Sequence, residues 1–157
     1  MAESMRTLRN FVDGEWRDSA DGETAALVNP ATGREFARAP VSGGPDIDAA
    51  CQAAARAFPD WRERTPSERS RALLRIADVI EDHADELVRL EVENTGKPFQ
   101  LTMEEEIPPM VDQIRFFAGA ARVLEGKGAA EYMAGHTSFV RREPIGVVGQ
   151  VTPWNYP

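Results

Sequence analysis

Apolar positions change period along the chain. Over the first forty residues they come in short runs broken by turn residues. In "NFVDGEW", Asp13-Gly14 sits between Phe11-Val12 and Glu15-Trp16, a strong type I′ hairpin signal. In "LVNPATGREFARAPV", Asn29-Pro30-Ala31-Thr32-Gly33 separates a strand near Ala25–Val28 from another near Glu35–Ala39. The period then becomes helical. A first helix starts near Pro45, with Asp46 and Asp48 suited to its positive end. Its apolar face is Ile47, Cys51, Ala54, Ala55 and Phe58. Thr65-Pro66-Ser67-Glu68 is a capping box that opens a second helix. Leu73, Ile76, Ala77, Ile80, Leu87 and Leu90 form its stripe, and Asn94-Thr95-Gly96-Lys97-Pro98 stops it.

Thr102 to Glu105 reads as another capping box, with a third helix running to about Glu125. Val111, Ile114, Phe117, Ala118, Ala121 and Leu124 would face inward. Pro108-Pro109 implies a kink or a later start. After the loop Gly126-Lys127-Gly128, "TSFVRRE" alternates like a strand. The closing run Ile145–Val151 is apolar and rich in β-branched residues, the pattern of a strand buried on both faces. No parallel partner for it follows, and a parallel sheet needs several strands joined by crossovers. The expected fold class is α/β, in the form of an N-terminal part of a larger protein or a chain that needs a partner.

Composition narrows the function classes. The 157 residues are 42% hydrophobic and 28% charged, as in an ordinary globular protein. A net charge of −8 argues against nucleic acid, whose phosphates call for a basic surface. The N-terminus has no apolar core of a signal peptide, and no run is long enough for a membrane span. A cytoplasmic protein is the expectation. Cys51, the single cysteine, excludes an internal disulfide and a multi-cysteine metal site, and its alanine-rich surroundings predict a buried structural thiol. His83, in "EDHADE", and His136, in a turn, read as surface residues. There is no G-x-G-x-x-G and no P-loop.

In open α/β sheets ligands bind beyond the carboxyl ends of the strands. Trp154 and Asn155 follow the closing run at that edge. They read either as an aromatic anchor with a turn asparagine or as a site whose amide N–H faces a developing oxyanion. "EPIGVVGQVTPWNYP" resembles the strand and loop that open the Rossmann-type core of the NAD(P)-dependent aldehyde dehydrogenase superfamily. "FVDGEW", "VNPATG", "NTGKP" and "RFFAGAAR" are similar to further landmarks of that family, in its order. "EEEIPPMVDQIRFFAGAAR" most resembles the subgroup acting on aminoaldehydes, notably 4-aminobutanal, with the betaine aldehyde enzymes nearby.

The resemblance implies a mechanism: a cysteine thiolate attacks the aldehyde, hydride passes to NAD (NADP remains open), and a glutamate-activated water releases the acid. Asn155 matches the oxyanion donor; Val151, Thr152, Pro153 and Trp154 match the lining of the dinucleotide site. Cys51 matches none of the family's catalytic positions, so the chain alone should be inactive. Glu106 matches an acidic residue at the substrate-channel mouth; otherwise it is a helix-end charge. Leu27, Val28 and Asn94 match a monovalent-cation site; otherwise Asn94 only ends a helix. The resemblance divides the chain into residues 1–125 of a cofactor domain, residues 126–143 as outgoing strands of a bridging arm, and residues 144–157 as the first core strand and its loop. It implies a small aldehyde substrate and a homodimeric or homotetrameric parent. The alternative is an independent, non-catalytic module acting through the arm. A dehydrogenase whose later part lies outside this chain is a third reading.

Overall fold

The computed structural model describes residues 5–126 and 128–153. Trp154 and Asn155 lie outside them. Among the described residues seven short strands and five helices follow one another, with five strands ahead of the helices, as the change of period predicts. Strand β1 (Arg6–Thr7) pairs in parallel with β5 (Arg34–Pro40), which pairs antiparallel with β4 (Thr24–Asn29), giving the sheet order β1-β5-β4. β2 (Asn10–Val12) and β3 (Glu15–Arg17) form a separate hairpin. Its turn takes positive φ at both Asp13 (58°) and Gly14 (80°), the requirement of a type I′ turn. The Phe11 and Trp16 rings meet across it at 4.9 Å. In the β4–β5 turn, Asn29 accepts from Ala31 N through its side chain at 2.9 Å and from Gly33 N through its carbonyl at 2.8 Å.

Helix α1 (Gly44–Arg62) is tied at its start by Asp46, which accepts from Gly43 N at 3.0 Å and Ala20 N at 2.9 Å. Its small side, at Ala53, is the buried one. The predicted face is therefore wrong: Ile47 and Cys51 are exposed. β2 packs against this helix, Arg56 pairs with Asp13 of the β2–β3 turn at 3.0 Å, and most of its remaining surface is exposed.

The Thr65–Glu68 capping box is present at the start of α2 (Pro66–Asp82): Thr65 N donates to Glu68 Oε2 at 2.8 Å and Glu68 N to Thr65 Oγ1 at 3.3 Å. The Thr65 backbone N–H, then its hydroxyl and Arg64, hold the Glu68 carboxyl down at about 2.

The single second helix expected from the stripe is two. His83 breaks it, and α3 spans Ala84–Thr95. The core positions of α3 are Val88 and Val92, not the predicted Leu87 and Leu90, which are exposed, as is the predicted Ile76 of α2. The third helix also divides, into α4 (Phe99–Glu105) and α5 (Ile107–Ala120). Pro98, not Thr102, caps α4; Thr102 is buried within it and donates its hydroxyl to the Pro98 carbonyl at 3.1 Å. Pro108 and Pro109 fall in the first turn of α5, where a missing N–H costs no ladder bond. Val111 and Ala118 are buried and Ile114 packs on the core, as predicted, but Phe117 and Leu124 are exposed.

The core is Ala77, Val88, Ile107 and Val111, with Ile80, Ala84, Val92, Phe99, Met103 and Ile114 packed around it. Arg115 holds α5 to α2 through Asp78 at 2.9 Å and Glu81 at 2.6 Å. Between helices and sheet, α3 packs on β4, and Arg6 of β1 meets Glu93 at 2.9 Å.

β6 (Ala130–Met133) and β7 (His136–Ser138) make the last hairpin. The strand expected over "TSFVRRE" thus ends early, at Ser138. The expected strand Ile145–Val151 does not form: no strand lies beside it among the described residues, and a strand without a ladder partner has no hydrogen bonds to hold it. Ile145 is 94% exposed and Val151 87%. No helix among the described residues is long and apolar enough to cross a membrane.

Gly96 caps α3 with φ 78°, and a Cβ there would lie 3.0 Å from Cγ of Pro30 in the β4–β5 turn. Gly96→Ala should therefore cost about 1–2 kcal/mol in urea unfolding. Gly119→Ala, on the open face of α5, should be neutral or stabilising by up to about 1 kcal/mol. Equal effects at the two glycines would remove Gly96 from the helix–sheet junction.

Candidate functional site

Two regions hold the sequence-predicted site residues, and they differ in how much structure supports them. The first is the closing segment. Val151, Thr152 and Pro153 are exposed and extended beyond any regular element. They offer an apolar side chain, a hydroxyl and unpaired backbone groups, but no helix N-terminus follows them among the described residues to receive a pyrophosphate.

The second region is the junction of α3, α4 and α5. Gly96 turns the chain so that Lys97 points back between two helices. Its ammonium lies 3.2 Å from Glu91 Oε1 and 3.0 Å from Glu106 Oε1. All three side chains are largely withdrawn from solvent. Burial pulls the Lys97 ammonium down, and its bonds to Glu106 and Glu91 outweigh that and raise it, so it stays charged. Glu106 stands at the break between α4 and α5; its carbonyl accepts the first α5 bond, from Met110 N at 3.2 Å. Glu91 and Glu106 also line a cavity of about 330 Å³, whose other walls are apolar apart from Thr102 and include Ile80, Leu87, Val88 and Met110. The structure thus places Glu106 in an ion pair, with its carboxylate turned to Lys97.

Leu27 and Val28 lie at an irregularity in the β4–β5 register, and Asn94 is in the last turn of α3. The packing of α3 on β4 makes these elements neighbours. No group of three or more His, Cys, Asp or Glu residues among those described could hold a metal ion. His83 Nδ1 lies 3.2 Å from Glu86, and His136 Nδ1 lies 3.0 Å from the Ala134 carbonyl; both are exposed.

Sequence reasoning missed Lys97. Its partners stand six residues before it and nine after, spacings that neither helical nor strand periodicity flags; only the glycine that reverses the chain at position 96 hinted at the convergence.

The sequence matches the model of the aldehyde dehydrogenase family over residues 16–157. It is 40% identical over 148 residues to a fluoroacetaldehyde dehydrogenase of Streptantibioticus cattleyicolor, covering 94% of this chain and 29% of that protein. It is 40% identical over 151 residues to an aminoacetaldehyde dehydrogenase of Pseudomonas aeruginosa, covering 95% of this chain and 30% of that one. The fold superposes on an NAD⁺ complex of an aldehyde dehydrogenase from Bacillus cereus with a TM-score of 0.90 and 36% identity, over 97% of this chain and 31% of the other. The chain spans about a third of the length of the relatives it matches. With sequence and fold in agreement over nearly all of its residues, the chain belongs to the aldehyde dehydrogenase family and carries an N-terminal part of that family's mixed α/β fold.

Proposed function

We propose that these residues serve an NAD-dependent oxidation of a small aldehyde to its carboxylic acid. The observation that carries the reading is the 0.90 superposition on an NAD⁺-bound aldehyde dehydrogenase. When bound, NAD would supply the hydride acceptor for that oxidation. The contribution of this chain is to bind and orient. Val151, Thr152, Pro153 and Trp154 form one side of the nucleotide site. Asn155 donates its side-chain N–H to the oxyanion on the aldehyde carbon. Cys51, exposed on α1, takes no part. The narrower form of the proposal is an amine-bearing aldehyde such as 4-aminobutanal, supported by the aminoacetaldehyde dehydrogenase among the relatives.

Residues 1–125 are read as part of the cofactor domain, and residues 144–157 as its first core strand and loop. The β6–β7 hairpin, joined to no other strand among the described residues, suits the outgoing part of an oligomerisation arm in a homodimer or homotetramer. Size-exclusion chromatography of the parent enzyme with β6–β7 deleted tests this reading; an unchanged oligomer would refute it.

Removing an oxyanion donor costs roughly 3 kcal/mol, or about a hundredfold in rate. Asn155→Ala in the enzyme that contains this chain should lower kcat by that order and leave NAD⁺ binding intact, and the isolated 157 residues should form no NADH. Wild-type kcat in the variant would remove Asn155 from the mechanism.

The ion pair with Lys97 favours a positioning role for Glu106 over attraction of a substrate ammonium. Glu106→Gln should then change KM for 4-aminobutanal and for butanal alike. A rise confined to the amine would return Glu106 to the substrate channel.

The carbonyls of Leu27 and Val28 with Asn94 suit a potassium or sodium ion. The parent enzyme should melt at a higher temperature in potassium than in lithium buffer, and less so as Asn94→Ala. Identical midpoints in the two salts would end the cation proposal.

A further inference from the structure

Where α1 ends and α2 begins, an open cleft of about 570 Å³ is lined by Trp61, Arg64, Glu68, Arg71, Leu74 and Arg75. That volume lies in the range of small-molecule sites. Its charge does not follow from the chain as a whole, which carries −8. Most arginines here are matched with carboxylates: Arg6 with Glu93, Arg9 with Asp18, Arg56 with Asp13, Arg89 with Asp85, Arg115 with Asp78 and Glu81. Arg71 and Arg75 have no such partner among the described residues. The one carboxylate of the cleft is already engaged. Glu68 accepts from Thr65 N at 2.8 Å, from the Thr65 hydroxyl at 2.9 Å and from Arg64 at 3.2 Å. Arg64 and Glu68 cancel, so the lining carries a net charge of about +2 from Arg71 and Arg75.

These two arginines are one turn apart on α2, about 6 Å along its axis. Guanidinium groups so placed can each grip phosphate oxygens through paired N–H donors. Trp61, near the end of α1, lines the same cleft and is 51% exposed. An indole left in water at the edge of a cationic cleft is a surface on which a flat ring can stack. An inorganic anion would use the arginines and leave the indole bare. An acidic peptide would satisfy the charge but bring no flat ring.

We propose that this cleft binds a nucleoside di- or triphosphate, with Arg71 and Arg75 on the phosphates and Trp61 against the base. The repulsion of a net-negative chain for a polyanion makes such binding depend on these two local charges and weaken with salt.

The test is titration of the 157-residue protein with ATP at low ionic strength, read by tryptophan fluorescence and by ³¹P NMR. Saturable quenching is expected, absent in Trp61→Phe, with the ³¹P shift retained there at lower affinity. Arg71→Ala with Arg75→Ala should weaken binding at least about tenfold. The far-UV circular dichroism should be unchanged, because neither side chain holds a partner in the fold. The double lysine variant should recover part of the affinity. Arg122→Ala, another exposed arginine without a carboxylate partner but outside the cleft, should bind as the parent does. No saturation at millimolar ATP, or equal affinity in the double alanine variant, would overturn the proposal. Tripolyphosphate binding as tightly as ATP would overturn the role of Trp61 and with it the nucleotide assignment. Binding of poly-glutamate without binding of ATP would overturn it in favour of an acidic protein partner.

Discussion

Ala77 presents only a methyl group where α2 meets α5, and the whole helical layer depends on that economy. It is fully buried, and Val111 and Ile107 of α5 pack into the space a larger residue would fill. Once α5 lies against α2, Arg115 reaches Asp78 and Glu81 and fixes the two helices in register. That contact is the main one between helices among the described residues. α3 and α4 close the remaining side through Val88, Phe99 and Met103. The ion pairs at Lys97 lie at the edge of this closure, where α3 gives way to α4.

Local signals in the sequence were legible where the physics is local. The Asp13-Gly14 turn, the Asn29 turn, the Thr65–Glu68 box and the Gly96 cap each depend on residues within a few positions, and each is in the structure. What failed was the assignment of faces and lengths. The stripe through Leu87 and Leu90 assumed one straight helix, which ends at His83, and Ile76, ahead of that break, is exposed as well. Cys51 looked buried because alanines surround it in sequence, but a helix face is buried only if something packs on it, and in α1 it is Ala53 that is buried while Cys51 is exposed. Thr102 resembled a cap because spacing cannot distinguish a helix start from the middle of a helix that Pro98 has already opened.

The site was less legible than the fold for the same reason. Glu106 was visible as a charge near a helix start, but its pairing with Lys97 is a tertiary fact created by the reversal at Gly96. The cleft of Trp61, Arg71 and Arg75 joins the end of one helix to the start of the next, and neither helix alone has an unusual pattern. Asn155 and Trp154, the residues on which the family resemblance rested most heavily, belong to a segment whose expected sheet has no other strand among the described residues.

That segment has a further consequence for solubility. "IGVVGQV" is uncharged and rich in β-branched residues, and it is exposed. Such a stretch is a template for intermolecular stacking. Its flanks counter this. Arg141, Arg142 and Glu143 precede it, Pro144 adjoins it on one side, and Pro153 follows shortly on the other. Charges repel an approaching copy, and each proline withholds the N–H that a growing stack would need. Gly146 and Gly149 interrupt the run of side chains from within. The segment thus carries gatekeepers suited to the time it spends without a sheet to join.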